Sequence, residues 1–195
     1  MDNTLADPWK TYVQGFEALK EEASVLVDGL DEAAFNWRHD PESWSVGECL
    51  DHLNTLGTLS LPKWDEALKK GKGNNQTGTP PFDYGFLGRW WISAMQPSSR
   101  RRFKTPKVFE PSSSELDCQQ VISTFLDLQD QFIKRVEASR GLDLRRVKAP
   151  SAAFSLLRLP LGAWFESTIA HEERHLAQAR RVMHHVEFPM PEDKS

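Results

Sequence analysis

Cysteine is scarce in this chain. There are two, Cys49 and Cys118, among 195 residues. Two thiols cannot supply the disulfide framework on which small secreted domains rely, so a reducing cytoplasm is the expected compartment. A cationic surplus is missing as well. The net charge is −4 and the pI is near 5.9, which speaks against nucleic acid as a main partner, because phosphate binding needs a basic face. No apolar run approaches the ~18 residues of a membrane span, so no membrane partner is expected. The opening Met1-Asp2-Asn3-Thr4-Leu5-Ala6-Asp7 has neither the basic region nor the apolar stretch of a secretory signal. No internal repeat or sustained low-complexity segment occurs.

What is present suffices for one real core. The chain is 39% apolar and contains seven tryptophans, and its length fits a single domain, taken as 1–195. Four long helices account for most of it. The first is expected over 8–28, where Trp9, Tyr12, Phe16, Leu19, Ala23 and Leu26 recur at intervals of three and four. Pro8 suits its first turn and Gly29 its C-terminal end. The second is expected over 46–70, with Pro62 kinking it or splitting off Lys63 to Lys70. Ser45 and Glu48 form a capping box at its start. The third is expected over 115–139, with Val121, Phe125, Leu128, Phe132 and Val136 on one face and Gly141 closing it. The fourth is expected over 163–185, ending before Pro189. The chain is therefore read as all-α, a four-helix bundle.

The connection from Gly71 to Ser114 is far longer than the 2–8 residues usual between bundle helices. It contains Phe82, Tyr84, Phe86, Leu87, Trp90, Trp91, Ile92 and Met95, too apolar to be left in solvent, and a short helix is expected around Phe86 to Met95. Such a crossover allows the second and third helices to run parallel. Its basic run, Arg100 to Lys107, reads as a solvated loop, with an anion site as the alternative. Between the last two helices, Ser151 to Leu157 reads as an apolar cover.

Chemistry points to the last helix. His171 and His175 lie one turn apart, so both imidazoles face the same way. They share a stripe with Trp164, Thr168, Gln178 and Val182, a face that should point inward. A divalent metal is a partner that two buried neutral imidazoles can share, although such a pair can also hydrogen-bond to its neighbours. His171-Glu172-Glu173-Arg174-His175 formally matches HExxH, but a metalloprotease needs a third ligand downstream, where only His184-His185 follow. A third ligand is better sought on the second helix, where His52 falls on an apolar face with Cys49, Leu53, Leu56 and Leu59 or Ser60. Three imidazoles with an open position make a catalytic type of metal site. Gln178 is expected beside the metal rather than on it, with Glu48, Cys49 and Trp164 as further candidates for the surroundings or the pocket wall.

Trp44-Ser45 followed by a helix with Glu48 and His52, a long gap, and then His171-x-x-Arg174-His175-x-x-Gln178 resembles the DinB/YfiT-like superfamily over about residues 8 to 186. That resemblance implies an up-down-down-up four-helix bundle with a long crossover between helices 2 and 3. It also implies one divalent metal, zinc or nickel, on His52, His171 and His175, and a homodimer. Its relatives include small-thiol transferases, metal-dependent hydrolases and proteins without an assigned reaction. Three functions are therefore carried forward. The first is a metal-dependent transferase using a small low-molecular-weight thiol held as thiolate. The second is a metal-dependent hydrolase with Glu48 or Glu172 as base. The third is a non-catalytic bundle with a structural or vestigial site.

Overall fold

The apolar repeats form helices where they were expected. A computed structural model of the chain describes residues 7–99, 101 and 104–189. Helix α1 spans Pro8–Val27. The Asp7 carboxylate accepts from the backbone N–H groups of Trp9 and Lys10, satisfying donors that a first turn leaves unpaired. Its six seam residues, Trp9 to Leu26, are all buried. Gly29, at φ +76°, ends it in a conformation that side chains resist. A five-residue helix, α2, follows at Glu32–Asn36 under an Asp31 cap; it was not expected.

Helix α3 runs unbroken over Val46–Gly73, longer than the expected 46–70. The capping box is present: Glu48 N–H donates to Ser45 Oγ at 3.0 Å, and Ser45 N–H donates to Glu48 Oε2 at 2.8 Å. Pro62 does not split the helix. It removes the donor that would have served the Thr58 carbonyl, but Thr58 and Pro62 are both exposed, so water can take that place. Leu61 and Trp64 beside it are buried and hold the helix to the core. The inward face also drifts from the expected stripe. Leu59 is exposed, and Asn54, Gly57, Leu61 and Trp64 face inward instead. The reason is contact with two helices, which needs a wider face than one seam. A Cβ added at Gly57 would lie 3.0 Å from Phe132 and 3.2 Å from Leu128, so the glycine sets a close approach of α3 to the helix that carries both.

Helix α4 occupies Gly85–Met95, α5 Cys118–Ala138 and α6 Leu161–Met183. The last two replace the expected 115–139 and 163–185. Asp117 caps α5 by accepting from Gln120 N–H, which fixes its start. Two three-residue strands, β1 (Lys148–Pro150) and β2 (Arg158–Pro160), pair antiparallel before α6. No side chain caps α6. Its first donors are served by the preceding loop: Leu161 N–H donates to Val147 O and Gly162 N–H to Leu144 O.

The four long helices touch in a ring, with α1 and α3 each packed on both α5 and α6. Inside the ring Trp64 meets Phe132 and Phe165 at 5.1 Å between centroids, and Phe16 meets Phe132 at the same distance. Each such ring contributes roughly 1.5–3 kcal/mol by burial. The fold is thus mostly helical. The apolar cover expected at 151–157 is corrected at its tip, where Phe154 and Leu156 stand exposed on the hairpin turn. In the crossover, Ile92 and Met95 are buried against α6 but Phe86 points to solvent. Arg100, Arg102 and Phe103 of the basic run lie outside the described residues.

Candidate metal centre

The three histidines converge. His52 comes from α3, and His171 and His175 come from α6, which packs against it. One ligand-type nitrogen from each lies within 4.8 Å of the others. His171 Nε2 and His175 Nε2 are 3.2 Å apart. Ligands of a tetrahedral ion at ~2.0–2.1 Å sit about 3.3–3.4 Å from each other, so this pair already has nearly the right spacing. His52 is buried, whereas His171 and His175 are half-buried, leaving the cluster open on one side.

His52 is oriented by a backbone group. Its Nδ1–H donates to Phe109 O at 2.6 Å, which leaves Nε2 unprotonated and without a protein partner. That is the arrangement in which a carbonyl fixes the tautomer of a ligating imidazole. Phe109 belongs to a 3₁₀ turn, Lys107–Phe109, in the long crossover. The turn is moored to α3 through Ser112 N–H, which donates to Asp51 Oδ2 at 2.6 Å. Sequence reasoning missed this carbonyl, because a backbone oxygen leaves no mark on residue type. It missed the Trp44 ring as well. The indole lies 5.0 Å from the His52 ring and stacks on His175 at 5.7 Å and 26°, walling one side of the cluster. Its signal was available: an aromatic residue immediately before a capping box packs back onto the helix it precedes.

Electrostatics keeps the imidazoles neutral. Burial pushes His171 down to about 3, helped by His52 and Arg174. His175 is held well below its usual value by burial and by His171, against an opposing effect of the Gln178 side chain beside it. Burial also lowers His52, against the Phe109 hydrogen bond and Asp51. Neutral imidazoles are what a divalent ion requires. The Nδ1 atoms of His171 and His175 are buried and have no hydrogen-bond partner among the described residues. These donors fit one divalent ion with at least one position left for a ligand.

The other expected site residues lie as follows. Gln178 is half-buried one turn past His175. Glu48 is engaged by Ser45 and, at 3.4 Å, by Arg38. Glu172 faces away into the core towards Gln129, where burial raises its pKa to about 8. Cys49 is fully buried, and burial pushes its thiol up. Trp164 donates its indole N–H to Ala149 O at 2.9 Å and packs edge-on against Trp91. A cavity of ≈ 400 Å³ along α4 shares no residue with the cluster, while a smaller cleft of ≈ 150 Å³ shares Trp44 and Gln178 with its surroundings.

The sequence profile of the DinB superfamily matches residues 16–179. The chain belongs to the DinB superfamily. That match takes in all three histidines, the crossover and Gln178. The uncharacterized protein YuaE of Bacillus subtilis (strain 168) is similar at 23% identity over 161 residues, covering 83% of this chain and 90% of the relative. No solved structure matches. As in the sequence reading, DinB membership goes with a helical fold and a possible three-histidine metal site. None of the helices among the described residues is long and apolar enough to cross a membrane.

Proposed function

We propose that this DinB protein is a metal-dependent transferase that activates a small thiol on one divalent ion, zinc or nickel, held by His52, His171 and His175. The observation that carries the proposal is the convergence of three imidazoles within 4.8 Å, one buried and two half-buried. When bound, the ion would hold the sulfur of a thiol as thiolate at neutral pH, the nucleophilic form. The chain's own part is to hold the ligands and shape the opening. The Phe109 carbonyl aims His52 Nε2 at the cluster, Trp44 covers one flank, and Gln178 lines the neighbouring cleft.

The hydrolase alternative gains no support from the placement of its bases. Glu48 is committed to the helix cap and Arg38, and Glu172 is turned towards Gln129. The ring in which α1 and α3 each contact α5 and α6 supports a four-helix bundle as the finer form of the fold, and its up-down-down-up order is proposed on the family resemblance. A homodimer in the cytoplasm belongs to the same proposal. It rests on the family resemblance and on Cys49 and Cys118 both being free thiols.

The test is metal analysis of protein purified without a nickel column, followed by a panel of thiols with an electrophilic acceptor. One equivalent of metal and thiol-dependent turnover are expected. Metal-free protein that takes up no zinc or nickel would refute the site, and a loaded protein that is inert with every thiol would refute the transferase.

A further inference from the structure

The ≈ 150 Å³ cleft beside the cluster has an unusual balance of charge. It runs from Gln178 on the last turns of α6 to His185 just past the helix end, with Trp44 forming the wall it shares with His175. The three arginines of α6 have different employments. Arg174 donates to the carbonyls of Ala94 and Arg101, and Arg180 pairs with Glu22 at 2.7 Å. Arg181, which lines the cleft, has no carboxylate within 4.0 Å among the described residues. His39 and His185 stack at 4.9 Å and 18° on the far side, and both line the cleft. Buried Val182 supplies an apolar floor.

Resting on the thiol-transferase proposal, we infer that this cleft receives a carboxylate arm of the thiol substrate, with Arg181 as its counter-charge. One guanidinium with no carboxylate partner among the described residues matches one carboxylate in charge and in its planar fork. Gln178 and the imidazoles of His39 and His185 add polar groups to the same lining. The carbonyl end of α6 lies in the same region and carries about half a negative charge; the full charge of Arg181 outweighs it. The volume suits one small group rather than a whole drug-sized ligand, for which cavities of ~300–1,000 Å³ are usual. Distance along the helix sets the length of the arm. Arg181 lies six residues beyond His175, about 9 Å of helical rise, and the arginine side chain reaches back over part of that. The carboxylate should therefore stand several bonds from the sulfur.

Cobalt(II)-loaded protein reports thiol ligation through its thiolate-to-metal absorption band. It would be titrated with 6-mercaptohexanoate and with the uncharged 6-mercapto-1-hexanol. The wild type should bind the acid at least about tenfold more tightly, the usual size of one charge-assisted contact. Arg181→Gln should abolish that preference and leave binding of the alcohol unchanged, while Arg181→Lys should keep part of it. No preference in the wild type, or a preference that survives in Arg181→Gln, overturns the inference. If neither thiol raises the band, the thiol proposal fails, and the cleft is judged alone in metal-free protein with hexanoate. A saturable shift of the Trp44 indole N–H resonance that disappears in Arg181→Gln then supports the carboxylate site, and no shift overturns it.

Discussion

His52→Ala and His171→Ala should affect metal binding alike and the metal-free protein differently. Four-ligand zinc sites bind with about 10–16 kcal/mol, roughly 2.5–4 kcal/mol per ligand. Removing either histidine should therefore weaken zinc binding by about two to three orders of magnitude. The metal-free proteins part company because only His52 serves another group. Its Nδ1–H satisfies Phe109 O at 2.6 Å, and Phe109 is 6% exposed. Truncation leaves that carbonyl without its donor, at a cost of about 1–3 kcal/mol. His171 Nδ1 has no partner among the described residues, and its Nε2 meets only His175 Nε2 in the half-buried cluster, so His171→Ala orphans no backbone carbonyl. Because His52 is buried and His171 half-buried, the cavity cost falls more heavily on His52→Ala and widens the difference in the same direction. Calorimetric zinc titration and urea unfolding of metal-free protein at pH 7.5 give the two readings. Equal unfolding free energies for the two variants would refute the orienting role of the Phe109 carbonyl. A full equivalent of tightly bound zinc in the triple-alanine protein would refute the site.

Glu172→Gln should stabilise the metal-free protein. Glu172 is 1% exposed and its pKa is raised from 4.5 to about 8, so the unfolded chain ionises where the folded one resists. Stability is lost as pH rises from 4.5 towards 8, by about 3 kcal/mol at pH 7, and urea midpoints of the variant should lack that slope; parallel pH profiles would exclude it. Gly47→Ala should destabilise, because the new Cβ would lie 2.6 Å from the fully buried Phe35 ring. Overpacking costs about 1–3 kcal/mol against a helix-propensity gain of at most ~1 kcal/mol, so a raised melting temperature would contradict this packing. Gln178→Leu should keep the helical circular dichroism and weaken zinc binding by no more than ~10–100-fold, less than His175→Ala. Equal losses would make Gln178 a ligand, and no loss at all would make it filler.

What was legible in the sequence depended on periodicity. The seams of α1 and α5 were readable because one face of each is apolar at every turn, and all six residues of the first and all five of the second are buried. The Ser45–Glu48 capping box was equally plain, since both of its bonds are local. The histidines could be chosen because one helix turn forces His171 and His175 together, and because His52 falls on the apolar face of the second helix, a choice the resemblance reinforced. Where tertiary contact decided, the pattern misled. Leu59 shared the expected stripe but faces solvent, because α3 serves two neighbours and Gly57 gives closer approach than leucine could. Phe154 and Leu156 read as cover but sit at a hairpin tip. Their apolar character carries no information on which side of a two-strand turn they fall.

The HxxRH segment does more than present two ligands. His171 and His175 face the cluster, while Arg174 donates to Ala94 O at 3.2 Å and Arg101 O at 2.7 Å. One turn of α6 thus grips the crossover from behind at the end of α4. The same crossover returns to α3 at Phe109, whose carbonyl sets the His52 tautomer, and at Ser112, bound by Asp51 beside that histidine. Each ligand-bearing helix therefore carries, within one turn of its histidine, a charged residue that holds the crossover. Hydrogen bonds to charged groups contribute about 1.5–3 kcal/mol each, enough to make the crossover part of the site rather than a tether. This explains why so long a connection sits among four packed helices. The third imidazole needs an outer acceptor that neither ligand-bearing helix offers, since the carbonyls within a helix are already committed to its own ladder. A loop must bring one, and the arginine between the two histidines helps to keep that loop in place.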